Sequence, residues 1–168
     1  YDQLGCGNSD RPDDLSLWTV ERFVEELHIL RNHLGLDRCH ILGHSWGTML
    51  GMDYYLAHPD GILSLVQSSP CISIQRWIED CNNYRNQLPV EVQAVMAEHE
   101  KAGTTGSEEY KDAEKEFNKR HVLRMDPVPE AVLQGRRERG TVVYETMWGP
   151  NEFYMTGNLA NYDRSGDL

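Results

Sequence analysis

The spacing of apolar and polar positions predicts one long amphipathic helix near the start of the chain. From Trp18 onward, apolar residues recur at intervals of three and four, with mostly charged and polar residues between them. The apolar positions are Val20, Phe23, Val24, Leu27, Leu30 and Leu34. Gly35 follows directly, and glycine commonly ends a helix because it accepts a left-handed backbone conformation. We therefore expect a helix that buries one face and ends at Gly35.

Two short apolar runs on either side of a second helical pattern predict a parallel sheet. The stretch RCHILG, at 38–43, is typical of a strand, and ILSLVQSSP, at 62–70, predicts a second buried strand. Between them, the apolar residues of 49–56 predict a helix that ends at Pro59. Strand, helix and strand in this order indicate the α/β class, in which helices flank parallel strands.

The alternation of strands and helices stops beyond Pro70. Residues 72–140 contain four stretches of helical pattern separated by proline and glycine, which predicts a layer of helices rather than more sheet. The last segment, 141–168, mixes turn residues with aromatic residues and has no clear periodicity. The expected architecture is an α/β core followed by a mainly helical region.

A G-x-S-x-G motif lies between the first predicted strand and the helix after it. A serine on a sharp strand-to-helix turn leaves almost no room for a side chain two residues away, and Gly43 and Gly47 meet that demand. Such a turn exposes the Ser45 hydroxyl above the sheet, and the backbone N–H of Trp46 faces a developing oxyanion. We predict that Ser45 is a nucleophile and that the Trp46 amide is one oxyanion donor. The alternative is a purely structural turn flanked by glycines.

The sequence supplies no convincing base or acid for this serine. In α/β hydrolases the acid and then the histidine follow the nucleophile along the chain. No histidine after the motif follows a strand and a loop acid, and we expect each to be solvated or hydrogen-bonded; they are His58, His99 and His121. A tight elbow is expected to point His44 away from Ser45, as a packing or hydrogen-bonding residue. Asp163 and Asp167 are expected to be solvated loop carboxylates and not the triad acid.

Composition and charge exclude several classes of function. The chain has 168 residues, 39% of them hydrophobic, and a formal net charge of -11, which argues against a nucleic-acid partner because phosphate binding needs a cationic surface. The chain contains no run of about 18 apolar residues and no leader pattern, so the sequence indicates neither a membrane protein nor a secreted protein. The scattered cysteines do not have the spacing of a zinc site, so we expect no metal and reduced thiols in a cytoplasmic protein. They are Cys6, Cys39, Cys71 and Cys81.

Three stretches have a more specific pattern: the DQ-x-G-x-G-x-S loop at 2–9, the G-x-S-W-G elbow at 43–47 and GPNEF at 149–153. Together they resemble the proline iminopeptidases (prolyl aminopeptidases), serine peptidases of the α/β-hydrolase superfamily, and the similarity runs along nearly the whole chain. The resemblance implies release of an N-terminal residue, often proline, from a short peptide or amino-acid amide through an acyl-enzyme on Ser45. No cofactor is needed, because serine acyl transfer supplies its own nucleophile.

The same resemblance assigns further roles and limits. It implies that Glu152 binds the free amino terminus of the substrate, the alternative being a solvated loop glutamate. It implies a partial α/β-hydrolase core at 1–70 and most of a helical cap domain at 71–168. In the family an HGGPG-like loop precedes the DQ segment, and the catalytic Asp and His follow the cap. We therefore expect an internal fragment that is inactive and poorly soluble by itself.

Two other functions remain open at this point. Another capped serine hydrolase, such as an amidase, esterase or lactonase, would retain Ser45 without needing an ammonium anchor. A non-catalytic fragment or pseudoenzyme would keep the pocket as a binding module, because a serine without its base is a weak nucleophile.

Overall fold

The computed structural model describes residues 1–167 and contains a two-stranded parallel sheet. Strands β1 (Cys39–His44) and β2 (Ile62–Ser68) pair from Cys39 opposite Ile62 to His44 opposite Ser68, with one register shift after Cys39. Helix α1 (Val20–His33) precedes β1, and α2 (Trp46–Ala57) connects the strands. The strands and helices predicted from the pattern of apolar positions are therefore confirmed.

Helix α1 begins and ends where the sequence signals predict. The Oγ1 of Thr19 accepts a hydrogen bond from the Arg22 amide at 3.2 Å, which satisfies one of the free N–H groups of the first turn. The helix ends before Gly35, whose φ is 64°. Phe23 and Val24 are buried on the inner face of α1.

The region after β2 is a layer of helices, as predicted for residues 72–140. It contains α3 (Ile74–Arg85), α4 (Val90–Ala102), α5 (Glu108–His121) and α6 (Glu130–Glu138). A further helix, α7 (Thr141–Met147), lies in the segment that the sequence analysis left without periodicity. Short 3-10 helices lie at Leu15–Leu17, Asn158–Asn161 and Ser165–Asp167. Helix α7 is two turns long and rich in β-branched residues, so its helical signal is weak, and the burial of Val143 and Met147 stabilises it.

Two groups of buried side chains hold these elements together. The first joins Phe23 of α1 and Met49 of α2 to Val143 and Met147 of α7. The second lies within the helical layer and its turn segments and is formed by Cys81, Leu88, Met96, Tyr110, Ala113, Phe117 and Phe153. Because the first group includes residues from both sides of position 70, the core and the helical layer share apolar contacts. The division into domains at 1–70 and 71–168 stays a prediction.

The sheet exposes large apolar side chains within the described residues. Leu42 of β1 is 71% exposed, and Leu63 and Val66 of β2 are also exposed. Each strand has a single hydrogen-bonded neighbour within residues 1–167. Exposed apolar strands with free edges favour association with other chains. The expected poor solubility of the isolated chain has this physical basis and stays a prediction.

A buried carboxylate joins α2 to the end of the described chain. Asp53 is only 8% exposed. Its Oδ1 accepts a hydrogen bond from Arg164 Nε at 3.0 Å, and its Oδ2 accepts one from the Tyr162 hydroxyl at 2.6 Å. Burial, and next the hydrogen bond to Asp53, raise the pKa of Tyr162, so this hydroxyl stays protonated and donates.

Replacing Tyr162 with phenylalanine is expected to lower the free energy of unfolding by about 1–2 kcal/mol, because one oxygen of the buried Asp53 carboxylate loses its donor. Urea unfolding of the whole protein measures this change. Tyr55→Phe is the matched control, because the Tyr55 ring is 42% exposed. Equal effects of the two substitutions would show that the contact between Asp53 and Tyr162 adds no stability.

Candidate active site

Ser45 lies on a strained turn between β1 and α2. Its backbone has φ 52° and ψ -119°, an uncommon conformation for a residue with a side chain. The Ser45 amide donates to the Ser68 carbonyl of β2 at 3.1 Å, and the Ser45 carbonyl accepts from the Thr48 amide at 2.8 Å. The Thr48 hydroxyl donates to the same carbonyl at 2.6 Å. The neighbouring strand and the first turn of α2 therefore hold the turn that a nucleophile elbow requires.

The glycines on either side of Ser45 contribute differently to this turn. A Cβ on Gly43 would overlap the carbonyl of Gly47 and lie 2.8 Å from the Thr48 nitrogen. A Cβ on Gly47 would meet nothing within 4 Å in the described part of the chain. The prediction of a steric demand for glycine is therefore confirmed at Gly43. The same prediction is wrong at Gly47 for contacts within residues 1–167, because no described atom lies where the Gly47 side chain would be.

The backbone N–H and the indole side chain of Trp46 both have defined positions next to Ser45. Its backbone N–H is the first of α2, and the first amides of a helix have no partner within the helix, so it is available to an oxyanion. Its indole Nε1 donates to Gln3 Oε1 at 3.0 Å, and its ring meets that of Phe23 edge-on at 5.7 Å. Gln3 belongs to the DQ-x-G-x-G-x-S motif, but its contact with Trp46 joins residues 43 positions apart, and the motif does not predict it.

A cavity of about 340 Å³ opens at the elbow. Gln3, Cys6 and the elbow form one side of it, and α7 with the segment around Glu152 forms the other. Its apolar lining includes Val143, Met147, Trp148 and Leu159, and its charged lining includes Glu152 and Arg139. The volume suits a small ligand. Ser45 and Trp46 thus line one cavity with Glu152, which lies more than 100 positions further along the sequence.

A buried hydrogen-bond network shapes the turn that carries Glu152. Asn151 is 3% exposed, and its Oδ1 accepts from the amides of Phe153 at 3.1 Å and Tyr154 at 3.0 Å. Its Nδ2 donates to the Tyr110 hydroxyl at 3.0 Å, which itself donates to Glu100 Oε1 at 2.9 Å. The Asn151 side chain therefore accepts the backbone hydrogen bonds that a helix or strand would otherwise accept from these amides. This is a common role for asparagine in turns.

Further contacts fix Glu152 itself. Its carbonyl accepts from Trp77 Nε1 at 2.7 Å, and its Oε1 accepts from the Tyr144 hydroxyl at 3.0 Å. Burial, and next the charge of Glu152, raise the pKa of Tyr144, so the hydroxyl remains a donor. The solvated-glutamate alternative does not fit these contacts, because Glu152 is half-buried and one carboxylate oxygen has a protein donor.

A second cavity, of about 500 Å³, meets the first at the elbow. It is also lined by Ser45 and Glu152, together with Asp80, Tyr84 and His121. The interpretation of His121 as solvated or hydrogen-bonded is wrong for its Nε2, which is buried and has no hydrogen-bond partner within residues 1–167. Burial, and next the charges of Arg124 and Arg120, lower the pKa of His121. Its ring stacks on Tyr84 with centroids 4.7 Å apart, and no hydrogen bond joins it to Ser45 in the described part.

The other candidate groups lie as the sequence analysis expected. His44 is exposed and hydrogen-bonds through Nδ1 to Ser68 Oγ at 3.3 Å, while His99 hydrogen-bonds to Thr104 at 2.7 Å. The Asp163 carboxylate is exposed and accepts from the Ser165 amide at 2.8 Å. Asp167 is exposed in the last 3-10 helix. Within residues 1–167, no acid–histidine pair hydrogen-bonds to Ser45.

The cysteines form no disulfide among the described residues, and one of them, Cys6, lines the first cavity. All four cysteines are free thiols. Burial raises the pKa of Cys71 to about 12 and that of Cys81 to about 11.

Over the described range 1–167, no group of three or more His, Cys, Asp or Glu side chains could hold a metal ion. The helices described there are also too short or too polar to cross a membrane.

Comparison with known proteins identifies the class that this elbow and fold define. Residues 1–123 match the model of the alpha/beta hydrolase fold family. The chain therefore belongs to the α/β-hydrolase fold family, and the predicted fold class is confirmed.

Within that family the chain resembles proline iminopeptidases, as the sequence motifs indicated. It is 48% identical to a proline iminopeptidase of Heyndrickxia coagulans over the whole of this chain, which spans 59% of that protein. Its fold matches the crystal structure of VinJ with a TM-score of 0.91 and 38% identity, covering 97% of this chain and 57% of that one. It matches proline iminopeptidase of Mycobacterium smegmatis with a TM-score of 0.84 and 39% identity, covering 97% and 56%. The chain thus spans less than two thirds of the length of these relatives.

Proposed function

We propose that the whole protein is a serine aminopeptidase of the proline iminopeptidase type. Ser45 attacks the carbonyl of the first residue of a short peptide, the Trp46 amide donates to the oxyanion, and Glu152 binds the free ammonium group. The observation that carries the proposal is that one cavity is lined by both Ser45 and Glu152. An anion at a fixed place beside the nucleophile selects substrates by their amino terminus, which is what an exopeptidase requires.

The environment of Glu152 supports its role as an anchor. Tyr144 occupies one carboxylate oxygen, and the backbone of Glu152 is fixed through Trp77, so the carboxylate is oriented before substrate binds. Preorganisation of this kind lowers the entropic cost of binding. The apolar lining of the cavity suits a hydrophobic or cyclic side chain such as that of proline.

The base and acid of the triad are proposed to come from sequence outside residues 1–168. The elbow in the described part has no histidine hydrogen-bonded to Ser45, and the relatives that the chain matches are longer. The 168-residue chain alone is therefore expected to react weakly with a fluorophosphonate probe, and strong labelling would show that the base lies within it.

The test of the proposed function compares proline amide substrates with and without an N-acetyl block. We expect the whole protein to hydrolyse only the free amine at a useful rate, because acetylation removes the charge that Glu152 binds. Glu152→Gln is expected to lower kcat/KM for the free amine on the order of 10- to 100-fold, since a hydrogen bond between charged groups is lost.

Glu145→Gln is the matched control for this substitution. Glu145 lies in α7, seven positions before Glu152, but it is exposed and does not line the cavity. We expect its kcat/KM to remain within about two-fold of the unsubstituted protein. Equal turnover of blocked and free substrates would refute the aminopeptidase proposal and would favour a general amidase or esterase.

A further inference from the structure

A single cation lines the cavity in the described part of the chain. Arg139 follows directly after α6, and its guanidinium lies over the ring of Tyr144, with Cζ 4.1 Å from the ring centroid. The hydroxyl of the same Tyr144 ring donates to Glu152. One tyrosine ring therefore carries a cation on its face and an anion at its hydroxyl end, and both charged groups border the space next to Ser45.

The guanidinium of Arg139 has no carboxylate within ion-pair distance in residues 1–167. Burial raises the pKa of nearby Glu114, and the charge of Arg139 opposes that rise, but the two groups do not form an ion pair. Arg139 is exposed, and its planar group offers several N–H donors in a fixed geometry. It can therefore receive an anionic group from a ligand without first losing a carboxylate partner among residues 1–167.

The backbone that carries Arg139 is fixed to the core. The preceding residue, Glu138, accepts through its carbonyl from the Gly7 amide at 3.0 Å and from Arg11 Nη2 at 3.1 Å. The following residue, Gly140, is buried against the Gly5 carbonyl. Both contacts are with the loop that also supplies Gln3 to Trp46. The position of Arg139 relative to the elbow is thus set by packing and backbone hydrogen bonds.

Charge and length point to one class of ligand. A zwitterion with its two charges a short distance apart matches an anion and a cation that are separated by one tyrosine ring. Two extended residues span about 7 Å, and the protein groups are close on that scale, because Arg139 Cζ lies 4.1 Å from the centroid of the ring whose hydroxyl lies 3.0 Å from Glu152 Oε1. The chain as a whole carries a net charge of -11, so a substrate carboxylate needs a local cation to offset the general repulsion.

We propose that Arg139 binds the C-terminal carboxylate of the substrate, so that this site selects free dipeptides. This inference rests on the proposed function, because Glu152 must bind the ammonium group at the other end. In this arrangement the scissile bond lies between the two charged contacts and faces Ser45. Arg139 is then a specificity-determining residue, and removing the negative charge of the substrate removes its contribution.

The test uses Pro-Ala and Pro-Ala amide, which differ only at the carboxyl end. We expect the whole protein to show a kcat/KM for Pro-Ala roughly 5- to 10-fold above that for the amide, as an ion pair at an exposed cavity edge allows. Arg139→Gln is expected to remove that difference, so that the ratio of the two kcat/KM values falls to about one. Arg139→Lys is expected to restore part of it, because it keeps the charge but loses the planar pair of donors.

Arg136→Gln is the matched control, since Arg136 is exposed on α6 and does not line the cavity; we expect it to preserve the preference for Pro-Ala. A urea unfolding curve of Arg139→Gln that matches that of the unsubstituted protein shows that the variant is folded. Equal turnover of Pro-Ala and its amide by the unsubstituted protein, with N-acetylated substrate still rejected, would overturn the role of Arg139 and leave the aminopeptidase function standing. If the unsubstituted protein accepts the N-acetylated substrate, or cleaves neither peptide, then both the role of Arg139 and the aminopeptidase function are overturned.

Discussion

Replacing Ser45 with alanine in the whole protein is expected to lower kcat/KM for a proline amide by about 10⁴-fold or more, and to abolish covalent labelling by a fluorophosphonate. Loss of the nucleophile from a serine hydrolase removes the covalent route, and oxyanion donors and binding alone retain only a small part of the rate enhancement. The expected loss is large because Ser45 is the one hydroxyl that the strained turn presents beside the helix-start amide of Trp46.

Ser64→Ala is the control for this substitution. Ser64 lies on β2, is exposed, and hydrogen-bonds to His40 at 2.8 Å, away from the cavity. We expect it to retain labelling and turnover within about two-fold. If Ser45→Ala keeps substantial turnover and labelling, then another residue is the nucleophile and the proposed mechanism is wrong.

The elements nearest the elbow were predictable because their signals are local. The apolar spacing of α1, the short strands and the glycines around Ser45 all lie within a few residues of the feature that they predict. The unusual backbone of Ser45 follows from the same motif, since a strand that turns directly into a helix needs it. Local rules therefore gave the elbow, its place between β1 and α2, and the α/β class.

The parts of the site that could not be predicted depend on contacts between distant segments. The bond between Trp46 and Gln3 joins two loops, and the Asn151 network reaches back to α5 and α4. Helix α7 was missed because two turns with β-branched residues carry little periodicity. The role of Glu152 was predicted from its place in GPNEF through the family resemblance. Its hydrogen bond with Tyr144 depends on the fold and could not be predicted.

His121 shows the limit of arguing from residue type. A histidine near the end of a polar helix is usually solvated, and α5 is rich in charged residues. In the fold, Tyr84 and Phe117 surround the ring, so that its Nε2 lies buried and without a partner in the described range. The amphipathic pattern of α5 predicts which face is buried, but the partners on that face come from other segments, among them Cys81 of α3 and Met96 of α4.

Replacing Gly43 with alanine is expected to destabilise the whole protein by about 3 kcal/mol and to slow labelling of Ser45. The new Cβ would overlap the Gly47 carbonyl, and backbone cannot give way as the end of a flexible side chain can. That backbone is also held in place, because Thr48 donates both its amide and its hydroxyl to the Ser45 carbonyl. Relief of the overlap must therefore move the first turn of α2, and with it the Ser45 hydroxyl and the Trp46 amide.

Gly135→Ala separates this steric effect from the general effect of replacing glycine. Gly135 lies within α6 and an added Cβ there would meet nothing within 4 Å. Alanine in a helix interior is favoured over glycine by up to about 1 kcal/mol, so this variant should be neutral or slightly more stable. Urea unfolding and the rate of fluorophosphonate labelling measure both variants. If Gly43→Ala unfolds and labels like Gly135→Ala, then the elbow tolerates a side chain at position 43 and close approach of β1 to α2 does not determine its geometry.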